Sequence, residues 1–157
     1  MNDQQPVPRK ERDRIVKRHD ILIAARKVFA QKGYTNATLD EIAERAEFAK
    51  GTLYNYFDSK ERLFDAMVAG LLDDMTEITK HAIAEGGSVR EQFHRCANHI
   101  IEYYKANEDV FRVLIRETDR MELEEERAHW SEVLTRLRNL TDVLASVLRK
   151  EIAKKNI

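Results

Sequence analysis

At 157 residues the chain has room for one full core, or for one small unit and one of medium size. Apolar residues make up 43% and charged ones 35%, with 5 Gly and 2 Pro, a composition that favours an all-helical soluble protein. No apolar run is long enough for a bilayer, no charged-then-apolar leader is seen, and the single Cys96 has no internal disulfide partner, so the expected setting is a reducing cytoplasm.

The net charge of -1 argues nothing by itself, but its distribution does. Residues 1–62 hold 13 Lys/Arg against 10 Asp/Glu, while residues 63–157 hold 14 against 18. A basic end on an acidic body is the asymmetry expected of a nucleic-acid-binding head, although a solvated scatter of charge gives the same numbers.

Met1 to Pro8 is polar, carries both prolines and reads as part of a flexible basic arm over residues 1–12. Arg9, Lys10, Arg12, Arg14, Lys17 and Arg18 follow within ten residues. They suit phosphates or a minor groove, and equally the solvated face of a helix. From about Asp13 to Lys32, Ile21, Ala25, Val28 and Phe29 recur at helical spacing, and Gly33 supplies a left-handed stop.

Next come two short helices joined by a tight turn. Thr38-x-x-Glu41 is a capping box, and Leu39, Ile42, Ala43 and Ala46 then mark one apolar stripe. A second helix over about Ala49 to Phe57 turns Leu53 and Phe57 inward and leaves Lys50, Gly51, Thr52, Tyr54, Asn55 and Tyr56 outward. That outward set combines donors for phosphate, short polar groups for base edges and room for close approach, as a helix in a major groove requires. An ordinary amphipathic helix with surface tyrosines has the same periodicity. Ile21, Ala25, Phe29, Tyr34, Ile42, Leu53, Phe57 and Leu63 form the predicted core of a three-helix head over residues 13–62.

The run from Ala49 to Leu63, AKGTLYNYFDSKERL, together with Thr38 to Ala43 and the Ala24 to Tyr34 segment, closely resembles the DNA-binding domain of the TetR family of bacterial transcriptional regulators. The resemblance covers Ile21 through Leu63. It implies that Thr38, Tyr56 and Lys60 hold the phosphate backbone, and that Lys50, Gly51, Thr52 and Tyr54 approach base edges or neighbouring phosphates. Two positions depart from the family pattern. Glu47 stands where a turn glycine is frequent, which implies strain if a positive φ is needed. Ala49 stands where serine is frequent, which removes a capping hydroxyl worth about 1 kcal/mol.

A long helix starts at Asp58 or Ser59 and carries Leu63, Phe64, Met67, Leu71, Leu72, Met75 and Ile78 on its inner face until Gly86-Gly87. At 1.5 Å per residue it reaches about 40 Å, enough to join a head to a body over residues 63–157. Ser88-x-x-Glu91 opens a helix with Phe93, Ala97, Ile100, Ile101 and Tyr104 inward, and Asn107 to Asp109 caps a shorter one. A last long segment repeats Trp130, Val133 or Leu134, Leu137, Leu140, Val143 or Leu144, Val147 or Leu148 and Ile152, a seam suited to bundle packing. The fold expected is therefore all-α, a helix-turn-helix head joined by a long helix to a helical bundle. The family resemblance implies two further helices beyond Ile157, so either the chain is truncated or dimerisation uses its last helix.

No phosphate loop, nucleophile elbow or paired metal motif is present, so no catalytic, cofactor or metal site is expected and an enzyme is disfavoured. Cys96, His99 and His94 share one helix but lack a partner cluster and read as core or interface residues. The resemblance implies a small-molecule pocket in the body, with candidates Met75, Phe93, Cys96, Ile100, Tyr103, Tyr104, Phe111, Leu114, Trp130 and Leu134. Plain core filling accounts for most of them individually. The function expected is a ligand-responsive repressor that binds a palindromic operator as a homodimer; the competing expectation is a helical interaction protein with a vestigial head.

Overall fold

The computed structural model describes residues 8–120 and 131–155, with side chains for 8–117 and 131–153. Among them the regular elements are all helices: α1 (Arg9–Asn36), α2 (Leu39–Arg45), α3 (Lys50–Tyr54), α4 (Lys60–Ala84), α5 (Val89–Ala106), α6 (Glu108–Arg120) and α7 (Ser131–Lys155). They divide into two compact units, Met1–Leu63 and Phe64–Ile157.

In the first unit, α1 begins four residues before the expected Asp13. Pro8, extended at φ -54 and ψ 143, offers its carbonyl to the amides of Glu11 and Arg12 at 2.9 and 3.0 Å, so residues 9–12 are helix rather than arm. Residues 1–7 of the proposed arm lie outside the described residues. The regular helix breaks at Gly33, whose φ of 75 and ψ of 168 suit a residue without Cβ. The stripe Ile21, Ala24, Ala25, Val28 and Phe29 is buried, and upstream of it every side chain from Pro8 to His19 is exposed.

Beneath that stripe, the capping box of α2 forms as read: the Glu41 amide donates to Thr38 Oγ1 at 3.3 Å, and the Thr38 amide donates to Glu41 Oε2 at 3.2 Å. The α2 helix ends in a Schellman turn, with the Phe48 amide on the Ala43 carbonyl and the Glu47 amide on that of Glu44. This turn needs a left-handed residue at its crossing point, and Glu47 fills it at φ 59. The strain anticipated there is thus real. The following α3 is only five residues long and has no side-chain cap at Ala49. It is too short to hold itself, and what fixes it is burial of Leu53, fully, and Phe57, nearly so. Arg18 of α1 also lies over the Phe57 ring at 5.2 Å. Ile21, Ala25, Phe29, Ile42, Leu53, Phe57 and Leu63 of the expected core are buried, while Tyr34 is half-buried.

In the second unit, α4 is stopped at Gly86 and Gly87, both at positive φ, and Arg95 of α5 closes its end by donating Nε to the Ala82 carbonyl at 3.1 Å and Nη2 to that of Gly86. The capping box at Ser88 and Glu91 starts α5, which packs on α6 and α7. Of the alternatives along α7, Val133, Leu140 and Val147 turn inward, a strict seven-residue repeat. Leu134, Leu137, Leu148 and Ile152 stay exposed, so α7 carries a second apolar stripe. No helix among the described residues is long and apolar enough to cross a membrane.

Candidate nucleic-acid interface

The residues singled out for DNA contact fall in the first unit around α3. Leu53 points into the core, and the rest of the short helix is therefore turned out: Lys50, Gly51, Tyr54 and Asn55 are exposed, Thr52 and Tyr56 half-buried. Tyr54 keeps 42% of its surface exposed. A Cβ built on Gly51 would meet nothing within 4 Å, so packing inside the protein does not require glycine there. What glycine does provide is closer approach from outside.

Two cations of the set are already engaged. Lys50 Nζ donates to Asp40 Oδ2 at 2.6 Å, a contact between α3 and α2, and that carboxylate raises the pKa of the ammonium. Lys60, at the start of α4, donates to the carbonyls of Tyr34, Thr35 and Ala37 at 2.9, 3.1 and 3.0 Å, and lies 4.6 Å from the centre of the Tyr34 ring. An ammonium has three protons, and all three are used. Lys60 therefore pins the start of α4 to the last residues of α1 and to Ala37 just beyond them. The Tyr34 hydroxyl adds a bond to Glu61 Oε1 at 3.1 Å.

Thr38 serves twice. Its oxygen caps α2, and its side chain and amide both face the Glu41 carboxylate from an exposed residue. Glu41, its capping partner, also binds Lys32; that ammonium first, and the Thr38 amide second, hold the carboxyl below the usual carboxylate range. Sequence reasoning did not find Asp40 or the carbonyl triad under Lys60. Their partners stand 10 to 26 residues away, a separation that carries no helical periodicity to read.

The candidate effector residues belong to the second unit. Cys96 is buried against α4, its thiol 3.9 Å from the Thr79 carbonyl and its pKa raised by burial. Met75, Phe93, Ile100, Tyr103, Phe111 and Leu114 are half-buried. Tyr103 and Tyr104 gather around Phe111 at ring distances of 6.3 and 5.2 Å, and the Tyr103 hydroxyl donates to Asp74 Oδ2 at 2.7 Å. Two of the set do not lie inside: Tyr104 and Leu134 are exposed, because their neighbours Tyr103 and Val133 turn further inward on their helices. Trp130 lies outside the described residues. No group of three or more His, Cys, Asp or Glu suited to a metal occurs among the described residues.

Comparison with known proteins bears on both units. Residues 21–67 match the family described as bacterial regulatory proteins, tetR family. The chain is 36% identical over 93 residues to the uncharacterized HTH-type transcriptional regulator YhgD of Bacillus subtilis, covering 59% of this chain and 49% of that one. It is 28% identical over 124 residues to the HTH-type transcriptional repressor KstR2 of Rhodococcus jostii, covering 79% and 61%. It thus spans roughly half to three-fifths of the length of these relatives. The fold is that of the transcriptional regulator FadR from Bacillus subtilis, solved with stearoyl-CoA, at a TM-score of 0.76, 22% identity, and coverage of 88% of this chain and 73% of that one. These relatives are regulators of transcription rather than enzymes. With a family model matching over residues 21–67 and relatives that are HTH-type regulators of transcription, the first unit carries the DNA-binding head of the bacterial tetR regulatory family, and the chain as a whole shares the fold of such regulators.

Proposed function

We propose that the protein is a ligand-responsive regulator of transcription, a repressor that binds a palindromic operator as a homodimer. The observation that carries this reading is α3: a five-residue helix held by one fully buried leucine, with Lys50 and Tyr54 exposed and Thr52 half-buried beside them. Lys50, Gly51, Thr52, Tyr54 and Asn55 read base edges and adjacent phosphates, and Thr38 and Tyr56 hold the backbone. Lys60 takes part by positioning, since its protons are spent on carbonyls. In a dimer, two such helices enter successive major grooves about 34 Å apart.

A small molecule bound in the second unit acts on DNA affinity through α4, which runs from Lys60 in the first unit to Ala84 in the second. A hundredfold change in operator affinity requires about 2.7 kcal/mol of difference in ligand binding between the two states. The stearoyl-CoA held by FadR makes a long-chain acyl-CoA the first compound to test.

The reading is tested by titrating the protein against its own upstream DNA and against unrelated duplex. Lys50→Ala or Thr52→Ala is expected to change sequence preference by about 1 to 3 kcal/mol at one base position. Equal losses on both duplexes for both variants would remove these residues as base readers.

A further inference from the structure

The amino-terminal half of α1 overhangs the three-helix core, and its chemistry changes along a single face. Val28, Ala25 and Ile21 are buried on the side turned to the core. Continuing the same spacing of three and four residues towards the amino end, that side next presents Lys17, Arg14 and Lys10. An overhang meant to cover protein would keep the stripe apolar. Here it turns charged past the core, with Lys17, Arg14 and Lys10 alongside Asp20 and Asp13.

These three side chains line an open cleft of about 760 Å³ together with Pro8, Glu11, Asp13 and Tyr56. Tyr56 follows directly on the outward residues Tyr54 and Asn55, so the cleft adjoins the base-reading surface. Ile15 and Val16, the apolar residues of this segment, are exposed and do not line it. The cleft carries three cations against two carboxylates, and an extended anion with charges repeated along its length is the occupant that matches.

We propose that Lys10, Arg14 and Lys17, opposite Tyr56, form a second phosphate-binding surface that holds the DNA backbone beside the base-reading helix. The proposal rests on the regulator reading above. It selects three of the six cations in this segment and excludes Arg12, which falls on the opposite side of α1 and does not line the cleft. From Lys10 to Lys17 the helix rises about 10 Å, a length over which one strand of duplex presents about three phosphates along its axis. Such contacts add affinity and salt dependence without sequence preference.

The test compares wild type, the triple variant Lys10→Ala/Arg14→Ala/Lys17→Ala and Arg12→Ala on a duplex of arbitrary sequence at several salt concentrations. The substituted side chains are exposed, and circular dichroism verifies that helix content is kept. The salt slope of the triple variant is expected to fall by about 0.9 for each phosphate given up, roughly two to three per head, with Arg12→Ala near wild type. Glu11→Gln with Asp13→Asn is expected to tighten binding. An unchanged slope in the triple variant, or an equal effect of Arg12→Ala, overturns the proposal while leaving the regulator reading intact. Wild type that binds anionic vesicles through these residues but shows no dependence on them for DNA also overturns it. Wild type that binds no DNA overturns both readings.

Discussion

The two units spend their apolar residues differently. The first closes its core around Ile21, Phe29, Ile42, Leu53 and Leu63, each fully buried, and leaves exposed Ile15, Val16 and Ile23 on α1 and Tyr54 on the proposed reading face. The second buries Leu71, Val113, Val133, Leu140 and Val147 yet leaves Ile101, Tyr104, Ile115, Leu134, Leu137, Leu148 and Ile152 in solvent. A unit that exposes so many large apolar residues has surface left to bury, which fits the proposed homodimer. The contrast is between a small closed core whose exposed apolar residues sit on α1 and α3 and a larger bundle that exposes them along α5, α6 and α7.

The sharpest way to break this contrast is Leu53→Ala. Removing the fully buried anchor of a five-residue helix should cost 2 to 5 kcal/mol, seen as an early urea transition, and should abolish DNA binding. If α3 survives the truncation with binding intact, the first unit is not the tightly closed core described. Next in size is Lys60→Met, expected to cost about 1 to 3 kcal/mol because three carbonyls lose their donor. Unchanged stability combined with weaker DNA binding would instead return Lys60 to the phosphate backbone. Glu47→Gly should raise the stability of the first unit by about 1 kcal/mol, since glycine meets the left-handed turn without steric cost; a loss in thermal denaturation would contradict this.

The smallest effect is on pH. Glu41 has its carboxyl held below the ordinary value of 4.5, mainly by Lys32. Its stabilising contribution is therefore present above that pH and disappears as the pH falls through the lowered folded value. Stability of the wild type should drop more steeply below about pH 4.5 than that of Glu41→Gln, as followed by denaturant titration at stepped pH. Parallel curves would show that the ion pair contributes nothing.

What could be read from sequence was whatever has a local period or a local cap. The boxes at Thr38 and Ser88, the stop at Gly33 and the inward Leu53 each follow from residues within one or two turns. The start of α1 was placed late because the clustered charges of residues 9–12 have no apolar stripe, while the Pro8 carbonyl that starts the helix is a backbone feature. On α7, Val133 and Leu134 are both apolar, and only the neighbours of α7 decide which turns inward. Leu134 was misplaced as an interior residue for that reason, and Tyr104 for the like reason on α5, where Tyr103 is the one of the pair that turns inward. The engagement of Lys50 by Asp40 and of Lys60 by three carbonyls was illegible, because such pairs are made by tertiary folding.

The Lys50 to Asp40 contact has one more outcome. Any phosphate that takes Lys50 must evict a carboxylate, so docking there is an exchange of one anion for another and the Coulombic profit is small. If α3 reads DNA as proposed, the head thereby carries its own competitor for random duplex, and Thr52, Tyr54 and Asn55 supply the contacts that let the swap proceed only where the base pattern is right.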